Sequence, residues 1–203
     1  MRIVIKPAGL IVILFAIGVL AAFAFTKQTV PRKSAPMAVV AMRATPSQVP
    51  ENLAVNADMS AKGNNGLPEA WGFPWSGRGK VEAHQDDTEG NTAPPSIVID
   101  THDTDGQGQV AQMIKAKPGE RFTVSGFVKA KGSGTFSLAV QFYDAKMSPV
   151  GFEHVDFAKP GESWTRVGKS ISVPQSAVSL GVIIYADGKG KGWIDDISVT
   201  RGM

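Results

Sequence analysis

Beyond residue 50 the apolar residues of this chain recur at every second position, in short runs separated by Gly, Pro, Asn and Asp. That spacing belongs to extended backbone, whose successive side chains point to opposite faces. It predicts strands at 53–57, 80–84, 96–100, 109–115, 121–129, 136–143, 152–157, 165–173, 180–185 and 193–200. No amphipathic helical pattern lies between them. Short strands in this number point to an all-β fold, an antiparallel two-sheet sandwich or barrel. The 22 glycines and 13 prolines fit many tight turns. Two of these turns echo each other: Lys117-Pro118-Gly119-Glu120 and Lys159-Pro160-Gly161-Glu162 each precede a strand headed by an aromatic residue. Pro-Gly suits the centre of a type II turn, because Pro presets φ and Gly accepts a positive φ.

The first 50 residues read differently. Arg2 and Lys6 precede an uncharged apolar run of 18 residues, 8–25. As a helix, such a run is long enough to cross a bilayer. Ala22-Phe23-Ala24 also fits a small-x-small cleavage pattern of a secretory signal. Residues 1–25 are read as an uncleaved membrane anchor in preference to a cleaved signal, and either places the rest of the chain outside the cytoplasm, in a periplasmic or extracellular space. Residues 26–50 hold Pro31, Pro36, Pro46 and Pro50 among Ser, Thr, Gln, Ala and Val, which reads as an extended spacer. The domain is assigned to residues 51–203. A net charge of +3, with no basic block longer than two residues, gives no support to nucleic-acid binding. The absence of cysteine excludes disulfides, thiolate metal sites and cysteine nucleophiles.

Alternation also sorts the strand faces. Phe122, Val124 and Val128, then Phe136, Leu138, Val140 and Phe142, then Leu180, Val182 and Ile184 form the expected core faces. The opposite faces carry Phe127, Gln141, Tyr143 and Tyr185 among small or polar residues. A ring there offers a flat apolar platform, and an amide offers both a donor and an acceptor. Sugars present apolar C–H faces and a rim of hydroxyls, so this mixture suits glycan binding; cross-strand packing is the plainer alternative. In Ala70-Trp71-Gly72-Phe73-Pro74-Trp75, Trp71 is expected to pack and Trp75 to stand on a binding rim. In the last run, Trp193, Asp195, Ile197 and Val199 share one parity, which turns Asp195 toward the core. An ionised carboxylate there needs a partner. Two readings stay open on the residues alone: a hard cation such as Ca²⁺ held by oxygen ligands, Asp58 among them, or a salt bridge or backbone hydrogen bonds.

These segments resemble the jelly-roll carbohydrate-binding modules of the CenC type (families 4 and 9, galactose-binding-domain-like). The similarity runs from about residue 52 to 200 through NLAVNADMS, PPSIVID, PGERFTVSGFVKA, ESWTRVGKSISVP and GWIDDISVT, in that order. It implies a two-sheet jelly roll, a polysaccharide cleft across one sheet lined by aromatic and amide side chains, and a structural Ca²⁺ joining the N-terminal segment to the last strand. By that resemblance Asp195 is a side-chain ligand and the segment around Asp58 supplies others. NADMS departs from the family pattern, with Ala, Met and Ser where Gly, Phe and Glu are usual.

Enzyme signatures are missing. No G-x-S-x-G, H-E-x-x-H or P-loop pattern occurs, and DTHDTDGQGQ fails the EF-hand spacing. The expectation is therefore a non-catalytic, exported, membrane-tethered module. Its carbohydrate ligand would contact Phe127, Gln141, Tyr143, Tyr185 and Trp75, and its structural Ca²⁺ would sit at Asp195 and Asp58. The alternative is a structural or protein-interaction sandwich of a cell-envelope assembly that binds no sugar.

Overall fold

The computed structural model of the protein describes residues 49–102, 104–159 and 161–202. The predicted anchor helix at 1–25, and the spacer up to residue 48, lie outside the described residues. Ten strands follow: β1 (Gly72–Arg78), β2 (Glu82–Asp86), β3 (Ser96–Asp100), β4 (Gly106–Lys115), β5 (Arg121–Gly132), β6 (Thr135–Tyr143), β7 (Pro149–Phe157), β8 (Gly161–Ser172), β9 (Ser179–Gly188) and β10 (Gly190–Arg201). They pair antiparallel into two five-stranded sheets, ordered β1-β4-β9-β6-β7 and β2-β3-β10-β5-β8. No α-helix occurs among the described residues.

The expected core faces meet between the sheets. Phe122, Val124 and Val128 of β5 face Phe136, Leu138, Val140 and Phe142 of β6 and Leu180, Val182 and Ile184 of β9, all nearly inaccessible to water. At Gly192 of β10 a Cβ would run into the Phe136 ring from the facing sheet, so only glycine lets the two layers approach there. The first Pro-Gly turn forms as expected, with Gly119 at φ +78° and Glu120 N–H donating to Lys117 C=O at 3.1 Å.

Two strand assignments change. Residues 53–57 form no strand but an irregular segment leading into a turn at 55–58 that lies along β10, held by Leu53 N–H to Val199 C=O (2.7 Å) and Ile197 N–H to Ala57 C=O (2.9 Å). Asn52 completes the pairing with its side chain. Its Nδ2 donates to Ile197 C=O (2.9 Å), and its Oδ1 accepts from Val199 N–H (2.8 Å). An amide here does what backbone does in a ladder, so Asn52→Ala is expected to cost about 1–2 kcal/mol. Urea titration should show the midpoint lowered with the slope unchanged. Conversely, β1 falls where sequence spacing shows no strand. It is an exposed edge strand with register shifts on either side of the Trp75–Ser76 pairing, and its side chains follow no alternation.

The last strand corrects the parity argument. The pairing of β10 with β5 shifts between Asp195 and Ser198, and Asp196 adopts φ +49°. This bulge puts Ile194, Ile197 and Val199 in the core and leaves Trp193 and Asp195 on the outer face, level with Lys129 and Phe127. Asp195 is nonetheless 2% exposed. It is buried by the loop before β3, whose Asn91 N–H donates to Asp195 Oδ2 at 2.8 Å. The neighbouring Asp196 pins the same loop, accepting from Asn91 Nδ2 (2.8 Å) and Thr92 Oγ1 (3.2 Å). The adjacent aspartates thus divide the work: one supplies the left-handed residue of the bulge, and both hold the loop.

Candidate functional site

The outer face of the first sheet carries a groove of about 700 Å³. Its floor follows from register. Ala111 of β4, Ile183 of β9 and Ala139 of β6 are direct neighbours, so their side chains share one face, and all three are fully buried. The two alanines leave depth on either side of Ile183. Phe73, Pro74 and Trp75 of β1 form one wall, and Pro149, Phe152 and His154 of β7 form the other. The rings on both rims are open to solvent: Phe73 is 61% exposed, Trp75 48% and Phe152 41%.

Tyr143 and Tyr185 stand on the floor at either side of the small residues. Tyr143 lies over Gly181, where a Cβ would come 3.4 Å from its ring, and its hydroxyl meets the Gln109 amide. Tyr185 is braced from two directions. Its ring packs edge-on against Phe152 (5.6 Å) and His154 (5.8 Å). Its hydroxyl accepts from Gln107 Nε2 (2.6 Å) and donates to Asp187 Oδ2 (3.2 Å). Arg78 then bridges Asp187 and Asp105. Burial raises the pKa of both phenols, so they stay protonated as neutral donors. Burial and the charge on Lys169 lower that of His154, which keeps the imidazole neutral at ordinary pH, with Nδ1 2.9 Å from Ser137 Oγ. Gln141 donates one N–H to Gly151 C=O and retains a second donor and an acceptor.

Four of the sequence-predicted ligand residues, Gln141, Tyr143, Tyr185 and Trp75, therefore line one groove. Phe127 does not. It belongs to β5 of the other sheet, half-buried beside Asp195 and Arg166, on the opposite side of the sandwich. Alternation identifies which residues leave the core, but not which sheet they leave it from. Phe73, from the aromatic run the sequence offers as either a packed plug or a binding rim, joins the rim, whereas Gln107, Gln109, Phe152 and His154 are groove residues the sequence does not single out as ligand contacts. The alternation of Gln107 and Gln109 with Gly108 and Val110, and of Phe152 and His154 along a predicted strand, was the available signal.

At the seam between residues 52–60 and β10, burial, together with repulsion from Asp196 and Asp58, raises the Asp195 pKa to about 6, against the hydrogen bonds from Asn91 and Asp196 N–H. No lysine or arginine pairs with it among the described residues. Asp58 is exposed, and its pKa is lowered by the Ser60 hydroxyl and amide. Among the described residues no three His, Cys, Asp or Glu side chains gather around one point. The donors at this seam are oxygens, the type a hard cation takes, and the carboxylates repel one another.

No family model and no curated protein matches the sequence. Solved structures do match. The CBM22-1 xylan-binding domain of Paenibacillus barcinonensis Xyn10C aligns with a TM-score of 0.55 at 14% identity, covering 75% of this chain and 95% of that one. TmCBM61 in complex with β-1,4-galactotriose aligns with a TM-score of 0.51 at 13% identity, covering 75% and 99%. The enzymatically active domain of bacteriophage CBA120 tailspike protein 4 gives 0.58 at 15% identity. The match covers 74% of this chain but only 21% of that longer one. At these identities the similarity is one of fold. The described domain is an antiparallel two-sheet sandwich of the kind found in carbohydrate-binding modules.

Proposed function

We propose that this protein is a non-catalytic carbohydrate-binding module that takes a poly- or oligosaccharide chain in the groove of the first sheet. The observation that carries the reading is the groove's lining. Solvent-exposed rings stand on opposite walls of a floor furnished with neutral amide and phenol groups. Rings stack on the apolar faces of sugars, and amides and phenols exchange hydrogen bonds with hydroxyls. No Asp or Glu is among the lining residues, and the two carboxylates beyond one end, Asp187 and Asp105, are both paired with Arg78, which does not leave them free for the acid and base of glycoside hydrolysis. The fold shared with a xylan-binding domain and with a module solved in complex with β-1,4-galactotriose supports the same reading, and the sequence motifs favour a CenC-type relationship within that group. The first 25 residues would tether the module to a membrane with the domain outside the cytoplasm. A structural Ca²⁺ bound by Asp195 and Asp58 would neutralise the carboxylates at the seam and fix the N-terminal segment to β10.

A glycan array probed with the full-length chain in a non-ionic detergent tests the proposal. Binding to β-linked plant-type polysaccharides such as xylan or galactan, competed by the soluble oligosaccharide, is the expected result. An array without a single competable signal would move the assignment to the rival envelope-interaction module.

A further inference from the structure

We infer that the Tyr143 end of the groove continues into a cationic site, so that the preferred ligand is a glycan bearing an anionic group, a carboxylate or a sulfate ester. The inference rests on the groove being a sugar site. Tyr143 of β6, Ser179 of β9 and Lys115 of β4 are consecutive neighbours across three strands. Paired residues point to the same face, and strands lie about 4.8 Å apart, which places Lys115 about 10 Å from Tyr143. Beyond them a hollow of about 450 Å³ is lined by Lys115, Lys117, Glu120, Val178, Ser179 and Arg201. Three cationic residues and a single acidic one contribute to its lining, largely through their aliphatic stems, and set a positive balance of charge at its rim. Glu120 is already engaged, accepting from Lys117 N–H at 2.7 Å and lying 3.6 Å from Arg201 Nε. Neither Lys115 nor Lys117 makes an ion pair among the described residues. Ser179 Oγ is buried without a hydrogen-bond partner.

The charge is local. All 18 acidic residues lie at or beyond Glu51, whereas six of the 21 basic residues precede it, so the domain itself is net negative. A polyanion is not drawn to the domain as a whole. The far end of the groove would also repel it, since Asp187 and Asp105 share one arginine there. The ligand's charged group is thereby directed to the Tyr143 end.

Calorimetry with the full-length chain tests this. The probes are xylohexaose, β-1,4-galactotriose, a xylo-oligosaccharide carrying one glucuronic acid, and a sulfated xylo-oligosaccharide. The anionic probes should bind about fivefold tighter than their neutral counterpart at low ionic strength. The gain should vanish at high salt and in the double variant Lys115→Gln/Lys117→Gln, which keeps its neutral-sugar affinity and its melting temperature. Equal gains from uronate and sulfate would assign recognition to charge; a gain from uronate alone would assign it to the carboxylate's shape. Neutral oligosaccharide binding with no anionic gain, or a gain that survives the double substitution, overturns this inference and leaves the groove reading standing. Failure of every probe to bind overturns both.

Discussion

Tyr143→Ala should abolish most of the glycan affinity while leaving the fold intact. The ring lies over Gly181 on the outer face of the first sheet, away from the inter-sheet core, so removing it opens no core cavity. Its contribution is instead a stacking surface on the groove floor, toward one end, and a hydroxyl beside Gln109. Aromatic anchors of a binding surface commonly contribute about 2 kcal/mol or more, which corresponds to a loss of about thirtyfold in affinity. Titration calorimetry with whichever oligosaccharide scores on the array provides the measurement, and a thermal melt controls for folding. An affinity unchanged within about twofold, with the melt also unchanged, would remove Tyr143 from the site.

The second large effect concerns Asp195. Its folded pKa lies near 6, above the ordinary carboxylate value of 3.8, chiefly because it is buried. A raised folded pKa means that the folded state binds the proton more tightly than the unfolded state. In chelator-treated protein the stability contributed by this group is full below about pH 4 and is lost as the pH rises through about 6. The shift corresponds to up to about 3 kcal/mol. Ion-free protein should therefore melt higher at pH 5 than at neutral pH, opposite to the usual behaviour of a paired carboxylate. A cation bound between Asp195 and Asp58 reverses the balance, because it favours the ionised form. Adding Ca²⁺ at neutral pH should raise the melting temperature, and the effect should fade as Asp195 protonates. Asp58→Ala should weaken the response. A melt insensitive to Ca²⁺ at neutral pH would dispose of the metal while leaving the proton dependence in place. Asp195→Asn is the poorer probe. Both carboxylate oxygens accept backbone N–H groups, and an amide would turn a donor toward one of them.

Much of the fold was legible because alternation is a local property. The core faces of β5, β6 and β9 follow from the two-residue period alone, since a wrong parity would turn Ser137 and Gln141 between the sheets in place of Leu138 and Val140. The Gly119 turn is equally local, set by the torsional freedom of Pro-Gly. Where alternation fails, the reading failed with it. β1 takes its strand form from pairing with β4 rather than from its own pattern. Residues 53–57 have a strand-like sequence but are held along β10 partly by the Asn52 side chain.

The candidate site divides in the same way. The sequence by itself determined that Gln141, Tyr143 and Tyr185 leave the core, because their parity within each strand is independent of any partner. Only the tertiary structure decided that β9 inserts between β4 and β6, bringing these residues together with Gln109 and Trp75, while β5 carries Phe127 to the opposite face. Strand order is set by packing between segments distant in the chain, which no local period encodes. The bulge at Asp195 and Asp196 is likewise a tertiary outcome. One extra residue reverses the parity of everything before it, and whether that residue is accommodated depends on the strand opposite and on the loop that closes over it.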